Sequence, residues 1–359
     1  MKKTILGAAT VVAATTLLLA GCASGGGSTT KSTSGSGGGA KAAASKRACV
    51  ILPDTESSPR WENGDRPALQ KALTGAGFTA DIQNAHNSTT QYATIASAQL
   101  SKGCGVMLLV DLNGAGAQVL TKAHGQGVPV IAYDRPIQGA DYYVSFDNEK
   151  VGELEGQMIV DGLKKEGKDP KTAKVVCMAG DPTDGNAAYF LSGAKKSMGA
   201  AGIQCAFSPK GTWDATKSGT EFAQAYTALK GNIDAVWTAN DANNAAVITV
   251  LDKYNKVVPT SGQDASIPGL QNILLGKQYG TVYKPYQLEA DQASKIAIDL
   301  LKGSKPSAPT KVGGVPSFLE TPILTTATGV EKVVQDGNAS VAQICTGAVK
   351  KACDKYGVK

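Results

Sequence analysis

The sequence predicts an α/β protein of two similar domains, each a parallel sheet covered on both faces by helices. Two observations carry this. Beyond residue 46, short β-branched runs alternate with longer amphipathic stretches, strand then helix, the pattern of parallel strands joined by helical crossovers. The roughly 310 residues involved also exceed what one hydrophobic core usually serves, and the alternation restarts after "YYVSFDNEKVG".

In order, "ACVIL" leads to a helix over residues 67–76, "FTADIQ" to one over 89–101 and "VMLLV" to one over 115–125, and "VPVIAYD" comes next. The helix ends carry Gly75, Gly103 and Gly125, where a left-handed closing residue is cheap without a Cβ. In the second half "AKVVCMAG" precedes a helix at 186–198, "GIQCAF" one at 219–229, "DAVWTA" one at 242–253, and the strand "KVVPTSG" a shorter helix near 269–274. "GTVYKP" then gives a strand and a long helix, 287–301.

The ends of the chain indicate export. Two lysines precede an apolar stretch, residues 5–20, that is too short and too rich in Ala and Thr for a membrane span and reads as a signal peptide, residues 1–21. Its end, Leu19-Ala20-Gly21-Cys22, resembles the lipobox at which bacterial lipoproteins are cut, which would leave Cys22 to carry lipid; the plainer alternative is a secretory signal with an incidental cysteine. From there to residue 46 the chain has no aromatic or branched aliphatic side chain, so 22–46 is expected to be a flexible tether.

Six of the 36 basic residues (Lys2, Lys3, Lys31, Lys41, Lys46 and Arg47) precede Asp54, the first of the 30 acidic ones, so the formal charge of +6 belongs to the amino-terminal stretch. The folded part is balanced, which removes the electrostatic case for nucleic acid, while a basic tether suits an anionic lipid surface. Six cysteines remain besides Cys22, and an even number in an exported chain suggests disulfides. Six allow 15 pairings. The strand order favours neighbours: Cys49 with Cys104, Cys177 with Cys205 and Cys345 with Cys353, against the alternative of buried free thiols. No CxxC spacing supports zinc or redox chemistry, and neither a metal nor a cofactor is expected.

Ligands of open α/β sheets bind beyond the carboxyl ends of the strands. The polar and aromatic residues just past those ends are Arg60 and Trp61, Asp134 and Arg135, Asp184 and Asn186, Trp213, Asn240 and Asp241, Asp264, and Lys284. Taken singly, these have plainer readings: a loop tryptophan is often a core edge, and Asp184, Asn240 and Asp241 stand where helix N-caps stand. Jointly they suit a pyranose sugar. Indoles cover its C–H faces while planar Arg, Asn and Asp groups meet its hydroxyls two at a time.

An enzyme needs a nucleophile, an acid–base pair or a metal. Only His86 and His124 are present, neither with an evident partner set, so no catalysis is expected. A sugar-responsive repressor shares such a core, but no helix-turn-helix pattern precedes the first strand.

The motifs "RW", "VIAYDRPI", "YYVSFDNEKVGEL", "GDPTDGNA", "TAND", "SGQDA" and "TVYKP" occur here in the order found in periplasmic xylose-binding proteins of ABC sugar importers, and the chain resembles that ribose/xylose-type, type I solute-binding family over residues 49–322. The resemblance implies two Rossmann-like domains joined by a three-segment hinge, 47–146 plus 285–315 and 147–284 plus 316–359, with a third crossing near "SFLETPIL". It also implies that Arg60, Arg135, Asn186, Asn240, Asp264 and Lys284 hydrogen-bond a monosaccharide beside Asp134, with Trp61 and Trp213 stacking on it. The expected protein is a monomer, lipid-anchored outside the cell membrane, whose partners are ABC permease subunits or, alternatively, a sensory receptor. Pro59, the six cysteines and "NDANNAA" depart from the family pattern.

Overall fold

The computed structural model describes residues 45–359; the signal peptide, Cys22 and all but the last two residues of the tether lie outside the described residues. Five strands form the heart of the first sheet: β1 (Arg47–Leu52), β2 (Thr79–Asn84), β3 (Val106–Leu109), β4 (Val130–Tyr133) and β5 (Tyr142–Phe146). Helices α1 (Arg66–Gly75), α2 (Thr89–Ser101) and α3 (Ala115–Gly125) connect the first four.

The second half holds α4 (Asn148–Lys165), β6 (Val175–Met178), α5 (Gly185–Ala200), β7 (Cys205–Phe207), α6 (Ala215–Ala228), β8 (Ala235–Thr238), α7 (Asp241–Lys253), α8 (Ile267–Leu274) and β9 (Thr281–Tyr283). The chain then returns through α9 (Tyr286–Leu301), β10 (Thr310–Val312) and β11 (Val315–Glu320), and ends with β12 (Ile323–Thr325), α10 (Val330–Gln335), α11 (Val341–Ile344) and α12 (Lys350–Tyr356).

The first sheet has seven strands in the order β10-β11-β5-β4-β3-β1-β2, all parallel except β10. Connectivity reverses between β1 and β3, which opens the crevice where α/β sheets bind ligands. Both faces of β1 are buried: Cys49 and Ile51 pack with α2 and α3, while Ala48, Val50 and Leu52 pack with α1 and α9. That explains an apolar run without alternation.

The second sheet is β7-β6-β8, also reversing beside β6, and single bridges from Val236 to Thr260 and from Gln263 to Val282 extend it toward the antiparallel pair β9 and β12. "KVVPTSG", expected as a strand, supplies only the Thr260 bridge; Pro259 has no N–H for a ladder, and Gly262 adds no side chain to pack. Helix α4, not anticipated from the sequence, crosses α5 at backbone contact. A Cβ at Gly152 would collide with the Phe190 carbonyl oxygen, and one at Gly193 with that of Glu149.

The chain passes between the two sheets at residue 147, at 284–285 and after Glu320. The last of these corrects the boundary at 315, because β11 pairs with β5 in the first sheet from Ser317↔Tyr143 to Glu320↔Phe146. Asp147 and Glu320, at two of the crossings, share a backbone hydrogen bond of 2.9 Å. Disulfides join Cys49–Cys104, Cys177–Cys205 and Cys345–Cys353, the last stapling the tail that packs on α8 through Val330, Val333 and Ile344.

Candidate functional site

The carboxyl ends of strands from both sheets surround one small cavity lined by polar and aromatic side chains of both halves. Arg60 and Trp61 enter it after β1, at the start of a π-helical turn, Trp61–Asp65. The buried indole donates Nε1–H to Ser57 Oγ at 3.1 Å. The guanidinium of Arg60 lies 4.7 Å from its ring centroid and that of Arg135 5.8 Å, both in cation–π range.

Asp134 and Arg135 directly follow β4. The chain reverses there with no helix before β5, and Asp134 takes φ = 61°, which aspartate tolerates better than most side chains. The turn is pinned by Asp134 N–H donating to the Val144 carbonyl at 2.8 Å and Arg135 N–H to that of Tyr133 at 2.7 Å. Arg135 then reaches across the crevice: Nε lies 3.1 Å from Asp184 Oδ2, while Nη2 donates to Ser57 Oγ at 3.2 Å and Nη1 to the Asp111 carbonyl at 3.0 Å.

On the opposite side, capping and cavity lining turn out to be one arrangement. Asp184 caps α5 through Oδ1, which accepts from Asn186 N–H at 2.9 Å, and so aims Oδ2 at Arg135 and at Trp213 Nε1, 3.0 Å away. Asn240 caps α7 through Oδ1, accepting from Asn243 N–H at 2.8 Å, and its Nδ2 donates across the crevice to the Ser57 carbonyl at 3.3 Å. Asn186 Nδ2 donates to the Asp134 carbonyl at 2.9 Å, and its Oδ1 accepts from Tyr143 and Asn148. Trp213 rests on Gly180, where any Cβ would collide with the indole.

Asp264 adopts φ = 87° and Lys284 Nζ lies 2.9 Å from its Oδ1. Burial opposes the lysine charge, but Asp264 and Asp134 outweigh it and hold the ammonium above its ordinary pKa. The cavity therefore brings together all nine candidates: Arg60, Trp61, Asp134, Arg135, Asn186, Trp213, Asn240, Asp264 and Lys284.

It also takes in Asp184, read from the sequence as a strand-end residue or helix cap but left out of the ligand set, and Ser57, Ser58, Phe190 and Gln263, which the sequence alone does not single out. Phe190 lies four residues along α5 from Asn186, on the same helical face, and Gln263 adjoins Asp264 in "SGQDA". Gln263 Nε2 donates to the Ala239 carbonyl at 2.6 Å, which fixes the amide, and its buried Oε1 has no protein partner. Such an acceptor in a cavity wall is costly unless a ligand donor meets it. Each cation of the cavity faces a carboxylate, so a ligand meets matched donors and acceptors.

Asp241, one residue past Asn240, holds the loops of this half together. Its Oδ1 accepts from Gln278 Nε2 at 2.8 Å and its Oδ2 from Ser266 N–H at 2.9 Å, and Gly262 and Gly269 lie so close that a Cβ on either would strike the carboxylate. Burial, reinforced by Asp264 against the hydrogen bonds from Gln278, Ser266 and Thr281, pushes its pKa up to about 7. The folded protein then keeps a proton that the unfolded chain releases above the ordinary value of 3.8. This group's contribution to stability is full below that value and is lost as pH rises to about 7. Urea unfolding of wild type and Asp241→Asn between pH 4 and 8 checks this: the wild type should lose stability across that window relative to the variant, and parallel curves would refute it.

Two sheets reversing toward one shared cavity, with three chain crossings between them, constitute the type I periplasmic binding protein fold. The family described as "Periplasmic binding protein domain" matches residues 49–305, and the chain belongs to it. It is 33% identical over 293 residues to the D-xylose-binding periplasmic protein of Haemophilus influenzae, covering 77% of this chain and 86% of that protein. Over 323 residues it is 31% identical to the multiple sugar-binding periplasmic receptor ChvE of Rhizobium radiobacter, covering 80% and 89%. Among solved structures, an ABC transporter solute-binding protein from Clostridium phytofermentans with bound β-D-glucose superposes with a TM-score of 0.76 at 26% identity, over 83% of this chain and 99% of that one.

Proposed function

We propose that this chain is an extracytoplasmic lipoprotein that closes on a pyranose monosaccharide, D-xylose first, and delivers it to the permease of an ABC importer. The observation that carries the reading is the composition of the cavity wall: indoles and Phe190 for the C–H faces of a sugar ring, and paired charges with amides for its rim. The similarity to the xylose-binding proteins supports the choice of sugar. Closure is a hinge motion of two domains about the three crossings, and Arg135–Asp184, Asn240–Ser57 and the 2.7 Å hydrogen bond from Thr183 to Asn113 are contacts that a closed form would gain.

A thermal-shift screen of monosaccharides tests the proposal. At about 100 times its dissociation constant the true ligand adds ~2.7 kcal/mol of stability. D-Xylose should give the largest rise, ahead of glucose, arabinose and galactose. A rise with a disaccharide, nucleoside or amino acid, and with no aldose, would overturn it. The similarity to a protein named as a sugar receptor favours a second reading, in which the closed form docks on a sensor; neighbouring genes for a permease and ATPase, or for a kinase, separate the two. Anchoring has its own check. Cys22→Ser should move the protein from the membrane fraction to the soluble one with unchanged sugar affinity, and a wild type already wholly soluble would refute lipidation.

A further inference from the structure

Arg60 is held by more carboxylates than its cavity position requires. A guanidinium has five N–H donors. Nε and Nη2 donate to the two oxygens of Asp65, each at 2.8 Å, Nη2 donates again to Glu289 Oε2 at 2.6 Å, and Nη1 donates to Asp134 Oδ2 at 3.1 Å. One N–H, on Nη1, is left for a ligand. Of the three carboxylates, Asp134 lines the cavity and Asp65 ends the turn that carries Trp61, whereas Glu289 does neither. It comes from the first turn of α9, just past the crossing that bears Lys284, and is completely buried.

We propose that Glu289 is a positioning residue for the binding site: it fixes the rotation of the Arg60 guanidinium, so that one N–H faces the cavity and the cationic plane stays over Trp61. This rests on the monosaccharide-binding reading only for its effect on affinity. The local geometry is independent of the ligand and of closure, because α9 packs on the first sheet beside Arg60 through Ala290, Ala293 and Ile296. The same contact is fixed by Tyr286, whose ring fills the place that a Cβ on Gly64 would occupy. The second oxygen of Glu289, Oε1, has no protein partner, so a glutamine amide nitrogen there breaks no existing bond, while its carbonyl oxygen still accepts from Arg60. Burial, together with Asp134 and Asp65, lifts the Glu289 carboxyl above the usual range against the pull of Arg60.

The test compares Glu289→Ala and Glu289→Gln by the indole N–H resonances of the ligand-free protein and by calorimetry with D-xylose. The chain has three tryptophans, and Trp237 is bonded to Glu155 in the other sheet's core, away from Arg60. In the alanine variant the Trp61 resonance should shift while those of Trp213 and Trp237 stay. D-Xylose affinity should fall about tenfold or more, and the glutamine variant should restore both to within threefold. An unshifted Trp61 resonance in Glu289→Ala overturns the proposal whether or not any sugar binds. So does a glutamine variant as defective as the alanine one. If wild type binds no aldose, the monosaccharide reading fails and the resonances alone decide this one.

Discussion

Replacing Arg135 with alanine should lower sugar affinity by about 100-fold or more, roughly 3 kcal/mol, the lower end of what breaking a buried ion pair costs. The size comes from the groups left stranded. Arg135 is the cation 3.1 Å from Asp184, and that carboxylate also orients Trp213 and caps α5, so it cannot turn away to solvent without releasing both. Burial already lifts the Asp184 carboxyl above its ordinary pKa, with Arg135 the main opposing influence. Without the arginine, Asp184 becomes easier to protonate in the closed form, and a neutral carboxyl costs less to bury. The defect should therefore be smaller at pH 5 than at pH 8. Arg135→Lys should fall between, since an ammonium keeps the charge but not the fork that reaches Asp184, Ser57 and Asp111 together. Calorimetry at both pH values decides it, and an alanine variant within threefold of wild type would mean that this ion pair does not govern closure.

The second large effect concerns the disulfides. Cys49–Cys104 joins residues 55 apart and Cys345–Cys353 residues 8 apart. Loop-closure entropy scaled by those lengths gives about 4 kcal/mol for the first and about 2.5 kcal/mol for the second, with Cys177–Cys205 between them. Thermal unfolding of the three paired Cys→Ala variants should lose stability in that order. The Cys49–Cys104 pair should show the largest fall, because it ties β1, the strand on which both faces of the first sheet pack, to the start of β3. A tail variant as unstable as the Cys49–Cys104 variant would reject the chain-entropy account.

Much of the scaffold is legible in the sequence because its physics is local. Helix Thr89–Ser101 can be read from its punctuation, since Gly103 is left-handed as expected, whereas after α1 and α3 the left-handed residues are Gly77 and Gly127, two past the expected Gly75 and Gly125; the buried strands can be read from β-branched runs. Helix α4 escapes that reading because Gly152, Gly156 and Gly162 break its pattern, and those glycines are present for neighbours far away in sequence: α5, and Pro259. "KVVPTSG" fails for the opposite reason. Its composition suits a strand, yet proline leaves it one bridge.

The candidate site is legible wherever a side chain stands just past a strand, since topology alone sends strand ends to one crevice. Gln263 and Phe190 are not, because nothing local shows that one amide is fixed by Ala239 or that the second turn of α5 faces Trp213. Glu289 is least visible of all. On the sequence it is an acid in the first turn of a helix, and its meaning depends on a guanidinium 229 residues earlier.

The first sheet is finished only by residues 286–320, after the chain has passed through the second one. One of its two core layers takes Ala290, Ala293, Ile296 and Leu301 from α9, and β5 has no neighbour on its outer side until β11 arrives at residue 315. The core around β6 and β8, by contrast, draws its buried residues from a single run, 151 to 282. The amino-terminal half therefore has an open sheet edge, exposed to wrong pairing, until residues some 200 positions downstream are in place.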